Sequence, residues 1–302
     1  MDWRKAKKII ILMLIIINAA LFVANRYYNN DYRVTQSEEE AVYRLLSKNG
    51  IGIYTDIISE YQPMRQLDVT VSPPDLDNLR NMFFEDDENV ETEIEFDQSI
   101  LRSYSAELIA EDSGFFYSCP TGKGETDGFG TEAARRLADS FISKMGGSYS
   151  NYVLDRITYK NGGYQLEYYE YYRGIKVFCN YCEFFIDDSG IKTVESENYE
   201  INGFAGENRE ICASTEALLT YIYSNNGVDK TGGFIEDIEL GYDFRASESV
   251  VGGSRITLVP CYYIYLINSD EPFAVYAYDN TVKTMDDALT ADQTTETDIL
   301  VQ

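Results

Sequence analysis

The chain has 302 residues, a formal net charge of -26, a sequence pI near 4.3 and no histidine. The acidity disfavours nucleic acid and anionic lipid as ligands, because both would repel it. The missing histidine removes serine and cysteine triads in their usual form, zinc hydrolases and imidazole pH sensors.

In chain order, the first segment is MDWRKAKKIIILMLIIINAALFV. Arg4, Lys5, Lys7 and Lys8 form a basic cluster, Trp3 stands where an interfacial aromatic would sit, and an apolar run from Ile9 to Ala24 is broken only by Asn18. Such a run slightly exceeds the core of a signal peptide, and the bulky Phe22 occupies a position that a cleavage site requires to be small. At ~1.5 Å per residue it falls somewhat short of the ~30 Å hydrocarbon core, so flanking lysines and Arg26 complete the span by snorkelling. The expectation is an uncleaved single membrane anchor over 9–24, with a cleaved signal as its rival. The positive flank keeps the stub 1–8 in the cytoplasm and sends the rest outside.

A polar linker, 25–36, leads to a first extracytoplasmic α+β domain, 37–125. Its first helix, SEEEAVYRLLSKNG, is expected to open on a capping box of Ser37 with Glu40 and to stop at Gly50. Strand-like pieces follow at IGIYTDII and RQLDVTVS, then a helix opened by the prolines of SPPDLDNLRNMFF. EDDENVETEIEF reads as a solvated strand edge and loop, since it lacks the spacing of a calcium loop. Strands at SYSAELIA and GFFYSC close this half. CPTGKGETDGFG reads as a linker because it is not a phosphate-binding GxxxxGK[ST] loop.

The second domain, 126–284, begins with a helix over TEAARRLADSFISKMGG, with Thr131 as N-cap and an apolar stripe through Ala134, Leu137, Ala138, Phe141, Ile142 and Met145. Turn signals at Asn161-Gly162-Gly163, Arg173-Gly174 and Asp187 to Gly190 then separate the runs NYVLDRITYK, YQLEYYEYY, IKVFCNYCEFFI and IKTVESENYEI, which predicts an antiparallel meander. A helix capped by Ser214 and strands at FIEDIELGYDF, RITLVPCYYIYLI and FAVYAY complete the domain. Residues 285–302 read as a flexible acidic tail. Turns rather than crossover helices join the strands, so the fold class is α+β: antiparallel sheets with helices packed on one face, split near Gly130.

Cys119, Cys179, Cys182, Cys212 and Cys261 are an odd number for an exported chain. Cys179 and Cys182 sit three apart on a strand, which points their sulfurs to opposite faces, so the cysteines read as small apolar fillers. Tyrosines on alternate strand positions read as ring cover for a sheet, with hydroxyls in water. With 51 acidic residues, chance pairs at the about 5 to 9.5 Å spacing of a glycosidase are expected, and no Asp or Glu is singled out. No catalytic, cofactor-binding or metal-binding residue is therefore assigned.

MDWRKAKKIIILMLIIINAALF resembles the start of the YycI (WalI) family, whose members begin Met-Asp-Trp, a basic stretch and one membrane span. Met1, Asp2, Trp3, Lys5 or Lys7 and the apolar run match it. YYEYYRGIKVFCNYCEFFIDDSGIKTVE resembles the strand-turn-strand repeats of YycI, YycH and PepSY-like modules, and LVPCYYIYLI, with Pro260, fits the same modules. The resemblance implies a non-enzymatic, cofactor-free accessory protein in the cell membrane of a Gram-positive bacterium. Its partners would be a sensor histidine kinase of the WalK/YycG type and a YycH-like protein. Asn18, Ala19 and Ala20 are the candidate contact with a kinase transmembrane helix. The alternative is an exported PepSY-like module that restrains a peptidase or binds cell-wall material.

Overall fold

The computed structural model describes residues 3–30, 32–85, 89–95, 98–124, 130–224, 233–245, 253–267, 269 and 271–283. The expected acidic tail and part of the glycine-rich segment, 125–129, lie outside them. Element order is α1 (Trp3–Asn30), α2 (Gln36–Lys48), β1 (Gly52–Ile53), β2 (Met64–Val71), α3 (Leu76–Phe84), β3 (Glu91–Glu95), β4 (Gln98–Arg102), β5 (Glu107–Ala110), β6 (Gly114–Lys123) and α4 (Thr131–Met145). After a 3-10 turn (Gly147–Asn151) come β7 (Tyr152–Lys160), β8 (Gly163–Tyr172), β9 (Ile175–Asp187), β10 (Gly190–Glu197), β11 (Tyr199–Arg209) and α5 (Ser214–Tyr223). The chain continues through β12 (Phe234–Asp243), β13 (Arg255–Leu266), β14 (Phe273–Tyr276) and β15 (Thr281–Val282). The class is α+β, with mostly antiparallel strand pairs.

Two compact units divide the chain discontinuously: Met1–Met64, Arg209–Glu239 and Tyr262–Val282 form the first, and Arg65–Asn208, Leu240–Cys261 and Lys283–Gln302 the second. The boundary expected near Gly130 falls inside the second unit, where β6 on one side of it pairs with β10 on the other, Tyr117 opposite Val194. β6 also runs on through Cys119 to Lys123, so the start of the expected linker is strand. A glycine-rich composition did not stop it because Lys123 finds a ladder partner in Ile191.

In the first unit, α2 starts two residues earlier than the expected capping box. Thr35 is the N-cap, its side chain accepting from the Glu38 N–H while the Glu38 carboxylate accepts from the Thr35 N–H. Val42 and Leu46 face inward, and α2 packs on α5. Ser214 is the first residue of α5 rather than its cap; its hydroxyl donates to the Ile58 carbonyl at 2.7 Å. The strand expected over 51–58 is only Gly52–Ile53, paired in parallel with β12. Tyr262 and Tyr278 donate to the carbonyls of Cys212 and Met64, each at 3.0 Å.

The membrane span expected over 9–24 lies within the 28-residue helix α1. Among the described residues no helix is long and apolar enough to cross a membrane. The stretch from Ile10 to Phe22, whose side chains are described, covers only roughly 20 Å of a ~30 Å hydrocarbon core. The side chains of residues 9 and 23–30 lie outside the description.

In the second unit, β7, β8, β9 and β10 form the expected meander, and β6, β5, β4 and β3 continue it, all antiparallel. Asn161 and Gly162 have φ of 52° and 82°, and Arg173 and Gly174 have 51° and 83°. Positive φ at both central residues gives the twist that two-residue hairpins require. One sheet face carries Leu166, Tyr168, Cys182, Phe184, Val194 and Tyr117, and α3 and α4 cover it with Leu79, Phe83, Ala134, Ala138 and Phe141. Phe83 stacks on Tyr117 with centroids 4.1 Å apart. Thr131 begins α4 but does not cap it; Gly130 holds the cap position without a side-chain bond, and α4 is held instead by its apolar stripe. Phe184 is fully buried in this core. Phe184→Ala is expected to lower unfolding free energy by ~3–5 kcal/mol in urea titration, because the ring leaves a cavity between sheet and helices.

Candidate functional site

All the described residues singled out at the N-terminus lie on α1. Trp3 is 80% exposed and Lys7 and Lys8 are exposed, while the side chains of Arg4 and Lys5 lie outside the description. Asn18 donates from its amide to the Leu14 carbonyl at 2.8 Å, a bond within the helix, and Ala19 and Ala20 are exposed beside it. From Ile10 to Ile17, and at Leu21 and Phe22, the large apolar side chains are between 48% and 66% exposed.

A polar cluster that sequence reasoning missed is built on an irregularity in β9. Tyr181 pairs with Tyr169, yet Val177 pairs with Glu170, so Phe178, Cys179 and Asn180 are inserted into β9 without partners on β8. An odd insertion reverses the side-chain alternation of a strand. Asn180, completely buried, lies against Glu170, itself 8% exposed. The Asn180 amide donates to Glu170 Oε2 at 2.7 Å and to the Tyr199 carbonyl at 2.9 Å, and its Oδ1 accepts the Tyr199 N–H at 3.0 Å. Asn151, from the 3-10 turn, donates to Glu170 Oε1 at 3.4 Å. Asn151 and Asn180 donate to this carboxylate as neutral amides, and burial pushes the Glu170 carboxyl above the ordinary glutamate value, against those two hydrogen bonds. Nearby, Tyr152 donates to the Glu197 carbonyl at 3.0 Å and accepts from Asn198, while Tyr199 donates to Glu197 Oε2 at 3.1 Å.

On the sheet face away from α3 and α4, Glu167, Glu183 and Glu195 stand directly opposite one another on β8, β9 and β10. Like charges in cross-strand positions repel. Burial is the largest cause raising the Glu167 and Glu183 carboxyls; repulsion from Asp155 adds to it at Glu167, and repulsion from Glu167 and Glu195 adds to it at Glu183. Arg156 on β7 opposes Glu167 and works the other way. Tyr181 donates to Glu195 at 2.7 Å. Burial likewise raises the Glu197 carboxyl. The carboxyls of Glu167 and Glu170 on β8, Glu183 on β9 and Glu197 on β10 are thus all raised by burial above the range of solvated glutamates. The break in alternation at VFCN, with a polar Asn180 inside a strand, was the available sequence signal.

Cys179 lies in the β9 insertion and Cys182 in the helix-covered core, both deeply buried, and no disulfide joins the cysteines. Burial raises both thiols, and Cys212 is pushed up to about 12. Such thiols are poor nucleophiles. The tyrosines depart from the expected pattern: Tyr117, Tyr168, Tyr242 and Tyr262 are fully buried, and hydroxyls meant for water are instead bonded inside the protein. Tyr168 donates to Asp139 at 2.8 Å, Tyr242 to the Arg65 carbonyl at 2.8 Å. Among the described residues no group of three or more histidine, cysteine or acidic side chains is arranged to hold a metal ion.

No protein-family model and no curated relative matches this chain. Solved structures do resemble it. An uncharacterized protein from Eubacterium rectale superposes with a TM-score of 0.53 at 10% identity, over 82% of this chain and 98% of that one. YycH from Bacillus subtilis gives 0.44 at 13% identity, over 77% and 57%, and the C-terminal domain of Bacillus megaterium YpeB gives 0.38 at 7%, over 70% and 97%. The first of these shows a likeness of fold.

The raised Glu170 carboxyl has a definite consequence for stability. A group whose folded-state pKa lies above its unfolded value binds more protons when folded, so its contribution is fully present below about 4.5 and lost as pH rises through the folded value. Glu170→Gln keeps the shape, and Asn151 can turn its amide to accept from the new side chain. The variant is expected to gain stability over the unaltered protein progressively as pH is raised from 4.5 towards 8, read from urea midpoints at each pH.

Proposed function

We propose that this chain is a non-enzymatic, membrane-anchored extracytoplasmic regulator that modulates a sensor histidine kinase of the WalK/YycG type, acting through α1 and its α+β body. The observation that carries the reading is α1 itself. Behind Lys7 and Lys8 runs a stripe of large apolar side chains at least 48% exposed, far more continuous than the scattered apolar residues a water-facing surface normally carries. A bilayer accommodates it, with flanking side chains reaching the interface where the apolar length falls short. The resemblance of Met1, Asp2 and Trp3 to the opening of the YycI family supplies the kind of partner.

In lipid, helices associate through packing and interhelical hydrogen bonds rather than a hydrophobic drive. Asn18 uses one amide hydrogen on Leu14; its carbonyl oxygen has no partner among the described residues and faces outward beside Ala19 and Ala20. A hydrogen bond from a kinase helix to that oxygen is worth ~0.6–2 kcal/mol, enough to shift a two-state kinase several-fold. The body is acidic and rigidly hydrogen-bonded, which suits a contact domain outside the cell. Catalysis is not part of this reading.

The test is affinity purification of tagged chain from membranes. Recovery of a histidine kinase is expected, and Asn18→Leu is expected to remain in the membrane fraction while kinase recovery and kinase output change several-fold. Mature chain free in the medium and lacking residues 1–24, accompanied by a soluble peptidase, would overturn this and favour the exported PepSY-like module.

A further inference from the structure

The second unit ends on two different strands. β11 pairs with β2 alone, and β3 with β4 alone, among the described residues. β11 is interrupted: Gly203 and Gly206 have φ of 129° and 64°, and the carbonyls of Gly206 and Phe204 accept from the Arg65 guanidinium at 2.9 and 3.5 Å. A kinked edge with its acceptors occupied is a poor template for another strand. β3 has none of these devices. Its register with β4 is unbroken from Glu91 opposite Arg102 to Glu95 opposite Gln98. It contains no proline, glycine or left-handed residue. Glu91 to Ile94 are exposed, Ile94 at 79%.

A regular edge offers a row of backbone donors and acceptors to any extended chain, and the side chains decide which. A second copy is a poor occupant: continuing the sheet with the same face upward places glutamate opposite glutamate, which is unfavourable. The charge beside the edge is also unbalanced. Arg102 bonds Glu93 at 3.0 Å and also Glu107, so its guanidinium already serves two carboxylates where Glu91 stands opposite it in the register. On the other face, Ile94 lacks cover.

We propose that β3 is a docking edge that takes an extended segment of a partner protein carrying lysine or arginine at alternate positions. Its backbone completes the sheet, its cations lie beside Glu91 and Glu93, and its intervening apolar side chains cover Ile94. This proposal is independent of α1 and of any kinase.

The full chain is titrated with three blocked peptides, read by fluorescence anisotropy: alternating Lys-Val-Lys-Val-Lys, its Glu-Val counterpart, and the lysine peptide with alternate amides N-methylated. N-methylation removes backbone donors and leaves charge intact, so it separates strand addition from simple attraction to an acidic protein. The lysine peptide is expected to bind saturably, at least about ten-fold tighter than either control, and to slow amide exchange in residues 91–95. Glu91→Lys, a change at an exposed position, is expected to weaken it several-fold. Absence of binding, equal binding of the N-methylated peptide, or indifference to Glu91→Lys would each overturn the proposal.

Discussion

The second unit depends on how β9 resolves its own irregularity. Phe178, Cys179 and Asn180 are inserted into β9 opposite β8, where buried polar groups are costly unless they are hydrogen-bonded. Asn180 answers this by acting as a piece of backbone: its amide donates to one group of Tyr199 and accepts from another, bridging β9 to the start of β11. The same side chain also orients Glu170. Strand β9 meanwhile pairs with β8, β10 and β12, so an error there would be felt in each neighbour.

Without disulfides, the chain holds distant segments together with tyrosine hydroxyls. Tyr262, Tyr278, Tyr242 and Tyr152 each place a ring in or against a core and bond a backbone carbonyl far away in sequence. Each supplies apolar burial and one directed bond. That explains a chain with 26 tyrosines and five unbridged cysteines better than surface recognition does. The buried ion pair of Lys176 with Asp155, 2.8 Å long and topped by the Tyr169 ring, follows the same habit of satisfying polar groups internally.

Acidity is distributed with consequences. The carboxyls of Glu167, Glu183 and Glu195 are lined up across three strands; burial raises those of Glu167 and Glu183, and the neighbouring Arg156 works against this at Glu167. Elsewhere the negative charge lies at a sheet edge, on the exposed Glu91 and Glu93 of β3. The exposed apolar side chains of α1, from Ile10 to Phe22, contrast with the acidic composition of the chain as a whole.

The meander β7 to β10 was legible because hairpin turns are local: Asn161-Gly162 and Arg173-Gly174 fix the twist, and period-two alternation fixes the faces. The apolar stripe of α4 and the edge character of EDDENVETEIEF were legible for the same reason. The cap of α2 moved two residues, from Ser37 to Thr35, because several residues there satisfy the same local chemistry. The pairing of β6 with β10 and the passage of β12 and β13 through both units could not be read, since each joins residues far apart in the chain, and the Asn180 cluster left only the break in alternation at VFCN as its signal. By itself the sequence determined composition, element type and the turns, which are decided within a few residues. Tertiary structure alone decided which strands became neighbours and therefore which carboxyls lost their water, because burial is a property of the whole packed chain and not of any segment within it.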